Sequence, residues 1–406
     1  MKDRLYYLWR YFFWFVSRIF CFVYLRPKFN LKVVKTGVKI PKPPFIMVSN
    51  HATFFDPWLI GHLSKYPISI MMNEEGFKGS NFIKWYLKNV GAYPKKKGES
   101  DIKAMKYTIK TLKKGFPVLI FPEGQTTWDG ETQPIFAGVE SIIKGSKLPL
   151  VMMNISGNFI SKPWWSENFR RGKVVITPKV LSKEEVAALS KPELRDTIIN
   201  HIRHNDLHDE TMLKTDFKGP AATMGINRFL WKCPACLSDD TITPTESTVD
   251  CSECGASWSM DTHFNFEPLN EKAVKIGNLH DWSLWHKAEV KKQISVATDD
   301  DVLTQNKGVD YCDVTDSGEY PVIKTGTLCL TKKELSFKPD DGTDEHAINI
   351  PVEEINDYVF QLKTIFECRH KGCVYKFRFA DKSPMKWVFY FRYLNDYAKA
   401  EEQGFM

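Results

Sequence analysis

Val48-Ser49-Asn50-His51-Ala52-Thr53-Phe54-Phe55-Asp56-Pro57 carries an apolar run into a polar turn and leaves one imidazole and one carboxylate just past it. On either side, short apolar runs alternate with amphipathic segments, which predicts an α/β domain in which this turn follows a strand. A carboxylate on one ring nitrogen fixes the tautomer of a histidine. The other nitrogen is then free to take a proton from a hydroxyl near neutral pH. His51 and Asp56 are therefore the candidate catalytic pair, His51 as general base and Asp56 as its orienter. The same residues also fit an ordinary helix start, with Asp56 as N-cap and Pro57 at the first helical position. The stretches that follow decide between the two.

Strands are expected over residues 45–48, 68–72, 117–121, 148–155 and 174–176. Between residues 101 and 114, Ile102, Met105, Ile109 and Leu112 recur at helical spacing, Gly115 is placed to stop the helix, and the lysines of the other face are solvated. Ser182-Lys183-Glu184-Glu185 is a capping box that opens a helix running towards His201.

Three further stretches bear on the His51 turn. Gly91-Ala92-Tyr93-Pro94-Lys95-Lys96-Lys97-Gly98 puts three ammonium groups in a loop, a grip for phosphate. Phe121-Pro122-Glu123-Gly124-Gln125-Thr126-Thr127 is a turn at the end of a strand, where open α/β sheets bind ligands. Leu148-Pro149-Leu150 opens the next strand. In this order and at these separations, the four blocks resemble the motif set of the glycerolipid acyltransferase family typified by 1-acylglycerol-3-phosphate acyltransferase, over roughly residues 5–210.

The resemblance implies an α/β fold with an N-terminal membrane-associated helix. It implies transfer of a fatty acyl group from an acyl-CoA or acyl-carrier-protein thioester to a lysophospholipid or glycerol-phosphate hydroxyl. It places Pro122, Glu123, Gly124 and Thr126 in the acceptor-binding turn and Lys97 where an arginine usually holds the acceptor phosphate, with Lys95 and Lys96 as substitutes. Thr126 also stands where an arginine is frequent, and Gly138 matches a further glycine expected to serve helix packing. No elbow motif for a serine or cysteine nucleophile is present. The competing class is a non-catalytic scaffold that binds membrane and partners.

At 406 residues the chain is expected to form several domains. Its formal charge of +7 is concentrated at one end: residues 1–42 hold ten Lys/Arg and a single acid, Asp3. Tyr6, Tyr7, Trp9, Phe12, Phe15 and Phe20 interleave with these cations, which suits an anionic membrane surface and excludes a solvated nucleic-acid arm. Residues 5–25 are long enough to span a bilayer, but Arg10 and Arg18 each cost about 2.5 to 3.5 kcal/mol at its centre. A helix lying in or dipping into the cytoplasmic leaflet is therefore expected, with packing on the protein body as the bland alternative. The same arginines interrupt any secretory leader.

Cys233-Pro-Ala-Cys236 and Cys251-Ser-Glu-Cys254 form two CxxC pairs with the spacing of a structural four-cysteine zinc site, in reduced, intracellular surroundings. Many short strands are expected after residue 276, including 374–379 and 385–391, closed by a helix over 393–403. This order resembles pleckstrin-homology and GRAM-type modules. The expected organisation is thus 1–42 membrane helix and linker, 43–210 acyltransferase domain, 211–275 linker and zinc ribbon, and 276–406 β-rich module.

Overall fold

The computed structural model of the protein describes residues 2–73, 77, 80–95, 102–136, 138–220, 222–313, 315 and 319–395. The chain divides into two compact units: Met1–Trp164 with Phe169–Gly219, and Trp165–Asn168 with Pro220–Met406.

In the first unit α1 (Lys2–Phe20) runs through a π-helical turn (Cys21–Leu25) into α2 (Arg26–Lys28). There follow β1 (Leu31–Val33), β2 (Ile46–Ser49), α3 (Asp56–Gly61), β3 (Ser69–Asn73), α4 (Asn81–Val90), β4 (Tyr93–Lys95), α5 (Ile102–Lys113), β5 (Val118–Ile120) and α6 (Val139–Ser146). β6 (Leu150–Ser156), α7 (Asn158–Ser161), β7 (Val174–Leu181), α8 (Lys183–Ala188), α9 (Lys191–Ile202) and α10 (Glu210–Leu213) complete it. One seven-stranded sheet has the order β1-β7-β6-β2-β5-β3-β4. Its central strands β6, β2 and β5 are parallel neighbours, with Val48 opposite Met152 and Ile120. These strands are continuous apolar runs because both faces of a parallel sheet are covered.

The helix expected to run unbroken from Ser182 towards His201 is two helices. Ser190 forms a second capping box with Glu193 and restarts the chain after α8.

The N-terminal helix is fastened to the sheet along one face. Trp14 Nε1 donates to Ser64 O at 3.0 Å, Arg18 Nε donates to His62 O at 2.9 Å, and Trp14, Cys21 and Leu25 join the apolar core. Its other face leaves Leu5, Leu8, Phe12, Phe15, Ile19 and Val23 exposed. Residues Arg4–Lys28 are long and apolar enough to cross a membrane by length and composition.

The second unit holds β8 (Ile242–Pro244), β9 (Thr248–Cys251), β10 (Ser257–Met260) and β11 (Phe266–Pro268) in the order β11-β10-β9-β8. Helix α11 (Leu279–Val296) follows, with Trp282 packed on Trp258 and Phe266 of that sheet at centroid separations of 5.1 and 4.9 Å. Then come β12 (Thr304–Cys312), β13 (Val322–Leu330), β14 (Glu334–Pro339), β15 (Ile348–Pro351), β16 (Ile355–Gln361), β17 (Ile365–His370), β18 (Cys373–Arg378) and α12 (Pro384–Leu394). These strands form a second seven-stranded sheet, β15-β14-β13-β12-β18-β17-β16, antiparallel throughout.

Residues 385–391, expected as a strand, are helical. Ser383 caps the helix and accepts from Lys386 N, Pro384 sits in the first turn, and every residue from Pro384 to Phe391 is buried. From Trp387 to Phe391 this buried helix is apolar without interruption, and such a run carries no periodicity to separate it from a strand. The expected closing helix over 393–403 falls mostly outside the described residues.

Gly138 has φ +94° at the start of α6, and a Cβ there would meet nothing within 4 Å. The left-handed conformation requires this glycine, not the close helix packing that was expected. Gly145, inside α6 and likewise in open space, has no such need. Gly145→Ala should therefore stabilise the protein by about 0.4–1 kcal/mol and Gly138→Ala destabilise it by about 1 kcal/mol or more, read by denaturant titration.

Candidate active site

Three adjacent parallel strands deliver the candidate site to one edge of the first sheet. His51 and Asp56 follow the C-terminal end of β2, Glu123 follows β5, and Asn158 follows β6. Asn50 fixes the exit from β2: its side chain donates to Ile155 O and accepts from Ile155 N, both at 2.8 Å, which extends the β2–β6 pairing by one side-chain rung.

Asp56 is fully buried. Its Oδ2 accepts from Ala52 N at 2.7 Å and Thr53 N at 2.8 Å, and lies 2.9 Å from His51 Nδ1. Its Oδ1 accepts from Thr53 Oγ1 at 2.7 Å and Asn158 Nδ2 at 2.8 Å. Five donors thus converge on one carboxylate, and neither of its buried oxygens is left bare. Asp56 is not the N-cap of α3, as its sequence position implied. Phe55 occupies that place, and the carboxylate reaches back to the preceding loop instead of forward into the helix.

The His51 ring is partly exposed and stacks on Phe121 with centroids 4.1 Å apart. With Nδ1 turned to Asp56, Nε2 is the nitrogen left for chemistry.

Glu123 holds the main chain of the site. Its Oε1 accepts from His51 N and its Oε2 from Gln133 N, both at 2.6 Å, while Thr127 N donates to His51 O at 3.0 Å. Burial pushes the Glu123 carboxyl well above the usual carboxylate range, and the two backbone donors, which favour the anion, oppose that push. Gly124 closes the turn with φ +71°, its N–H donating to Phe121 O at 3.1 Å. Pro122 and Thr126 are buried in this segment. Of the candidate phosphate grip only the backbone of Lys95 is described, at the end of β4; Lys96 and Lys97 lie outside the described residues.

Asn158, which no motif flagged, is held by an outer layer. Asp206 is buried and accepts from Gly157 N at 2.6 Å, Phe159 N at 3.0 Å and Ile160 N at 3.3 Å, so it caps the short helix that carries Asn158. His204 Nε2 lies 2.7 Å from the same carboxylate. Burial of His204 works against its charge, but Asp206 and Asp209 outweigh it and raise the imidazole pKa.

In the second unit the Sγ atoms of Cys233, Cys236, Cys251 and Cys254 lie within 4.8 Å of one another. The separations Cys233–Cys254 and Cys236–Cys251 are 3.9 and 3.7 Å. Four thiolates about 2.3 Å from a central ion would stand about 3.8 Å apart at the corners of a tetrahedron. Leu237 N donates to Cys233 O and Gly255 N to Cys251 O, each at 2.9 Å, closing one tight turn per CxxC pair. The donor set fits a thiophilic metal ion.

Residues 31–156 match the family model described as Acyltransferase. The chain is 30% identical over 151 residues to the 1-acyl-sn-glycerol-3-phosphate acyltransferase of Bacillus subtilis, an alignment covering 37% of this chain and 72% of that protein. The chain belongs to the acyltransferase family. It is also 29% identical over 126 residues to a chloroplastic 1-acyl-sn-glycerol-3-phosphate acyltransferase of Brassica napus, covering 30% of this chain and 36% of that protein. A solved 1-acyl-sn-glycerophosphate acyltransferase from Thermotoga maritima aligns with a TM-score of 0.39 at 19% identity, covering 50% of this chain and 93% of that one. All the residues of the His51 site up to Ser156 fall inside the acyltransferase match, and Asn158 stands two residues past it.

Because both Glu123 oxygens accept a backbone N–H, Glu123→Gln must turn an amide nitrogen towards one of those two groups. The variant should lose about 1–3 kcal/mol of stability in urea titration, and wild-type stability would remove this restraint from the account.

Proposed function

We propose that the protein is a membrane-associated O-acyltransferase that moves a fatty acyl group from an acyl-CoA or acyl-carrier-protein thioester to the hydroxyl of a lysophospholipid such as 1-acylglycerol-3-phosphate. The observation that carries this reading is the 2.9 Å contact of His51 Nδ1 with a fully buried Asp56, which leaves Nε2 as the free base. Nε2 takes the acceptor proton as the hydroxyl oxygen attacks the thioester carbonyl. Collapse of the tetrahedral intermediate breaks the carbon–sulfur bond, and the imidazolium returns the proton to the leaving thiolate. Ester and free thiol are the products, and no group on the enzyme is consumed.

Asp56 holds the tautomer and balances the imidazolium, and Asn158 holds Asp56. Glu123, in the Pro122-Glu123-Gly124 turn, positions the His51 main chain, and Thr126 belongs to the same acceptor-side segment. Lys95, Lys96 and Lys97 would hold the acceptor phosphate. Lysine supplies point charges there without the bidentate fork of arginine.

The apolar stripe of α1 seats the enzyme on the cytoplasmic face of a membrane. Two observations support this: the stripe is free of charge, and the arginines that would be costly in lipid face the protein. Cys233, Cys236, Cys251 and Cys254 would hold a structural zinc ion, with every ligand position filled by protein and none left for substrate. The β12–β18 sheet closed by α12 is read as a pleckstrin-homology or GRAM-like module on the basis of its strand order.

Purified enzyme incubated with acyl-CoA and 1-acylglycerol-3-phosphate should release thiol. His51→Ala should lower that rate by about 10²- to 10⁴-fold without lowering the melting temperature. Thiol release by the variant near the wild-type rate would overturn the assignment of His51. Elemental analysis should find one zinc per chain. Chelation or Cys251→Ser should lower the melting temperature of the second unit while the melting of the first is unchanged.

A further inference from the structure

Arg10 lies at the opposite edge of the first sheet from His51. It is 2% exposed, where α1 crosses the N-terminal ends of β3, β4 and β5. Its Nη2 donates to Ser69 Oγ at 3.1 Å and Val90 O at 3.3 Å, its Nη1 to Tyr6 Oη at 3.4 Å, and its Nε has no partner among the described residues. All three contacts are to neutral acceptors. A buried guanidinium so served lacks the counter-charge that normally compensates its loss of water.

The space beside it is a cavity of about 80 Å³, several times the roughly 10–15 Å³ that one water needs. Lys110 and Lys114 complete its lining, Lys114 lying over the Tyr6 ring, and no carboxylate lines it among the described residues. Gly91 makes the arrangement possible: a Cβ at that position would overlap the Arg10 guanidinium. The cavity is therefore built, cationic and incomplete.

We propose that this cavity binds a phosphate-bearing anion, with Arg10 at its floor and Lys110 and Lys114 at its mouth. A tetrahedral oxyanion matches the volume, accepts the unused Nε–H and neutralises part of a cluster of three cations. The site is separate from the acceptor grip proposed at the other edge of the sheet and does not depend on it. The ligand chemistry is shared by an anionic phospholipid headgroup and by free phosphate. Entry beneath an amphipathic helix suits the first, and the experiment separates them.

The full chain is titrated with inorganic phosphate, followed by its melting temperature. It is also titrated with phosphatidylcholine vesicles with and without phosphatidic acid, followed by co-sedimentation. Arg10→Gln and the double variant Lys110→Ala/Lys114→Ala are compared with wild type. Lys106→Ala/Lys113→Ala removes the same charge from the same helix outside the cavity and serves as control. A phosphate-dependent rise in melting temperature that persists in the control and is lost in both cavity variants supports a site open to free phosphate. Absence of that rise supports a headgroup site only if phosphatidic acid vesicles bind wild type and control about tenfold more tightly than the Lys110/Lys114 variant. Equal losses in the control and the Lys110/Lys114 variant, or no response of wild type to either probe, would overturn the proposal. The Lys110/Lys114 variant touches only exposed side chains, so the result stands even if Arg10→Gln fails to fold.

Discussion

Everything at the candidate site depends on one buried carboxylate. Placing Asp56 out of water would cost several kcal/mol if its oxygens were left bare, so the 51–56 loop is held in the one conformation that supplies donors to both. The same requirement reaches across the sheet. Asn158 arrives from the end of β6, and Asp206 fixes the turn that carries it. A base that must meet a reacting hydroxyl gains most from an orienter that cannot itself move, and five hydrogen bonds provide that. Glu123 applies the same logic to the main chain, since the peptide on either side of His51 is tied to the β5 turn.

The N-terminal helix meets a related constraint with a different solution. Arg10, Trp14 and Arg18 recur every four residues and so share a face, and each is hydrogen-bonded to the body of the unit. Turning the arginines inward gives each of them hydrogen-bond partners on the body of the unit, with Arg10 Nε left over, and leaves the outward stripe uncharged. The two readings open at the level of sequence, a helix packed on the protein and a helix on a membrane, are therefore compatible, because they concern opposite faces of one amphipathic element.

Much of this was legible in the residues, and the failures share a physical cause. The runs at β2, β5 and β6 stood out because a parallel strand buried on both faces is apolar without interruption. The His51, Asp56 and Glu123 motifs stood out because unusual residues cluster at strand ends. Asn158 and Asp206 did not, since an Asn after Gly157 and an Asp after Asn205 read as ordinary turns until their partners, about a hundred residues away in sequence for Asn158, are known. Helix α11 went unread because its buried face includes His280, Ser283 and His286, which break the apolar period. His286 donates to Lys232 O at 3.2 Å and is held neutral, its pKa pushed down to about 3 by burial. A polar residue inside a core is invisible to any pattern that counts hydrophobic residues.

The same difficulty hid the relation between the cysteine cluster and the β-rich module, which the sequence reading placed in separate segments, 211–275 and 276–406. Trp258 and Trp282 are core residues, fully buried and in contact. More decisively, Asp240, four residues past Cys236 of the first CxxC turn, pairs with Lys386 of α12, a lysine with no exposed surface. Asp240 also accepts from Asn306 of β12 at 2.9 Å, and Asn306 in turn accepts from Trp387 Nε1 at 3.0 Å. A buried ammonium that loses the one carboxylate paired with it among the described residues costs about 3–5 kcal/mol. Asp240 must therefore be in place for α12 to stay packed with its lysine inside. The cysteine turns and the sheet that follows them are thus tied together by side-chain contacts inside one compact unit.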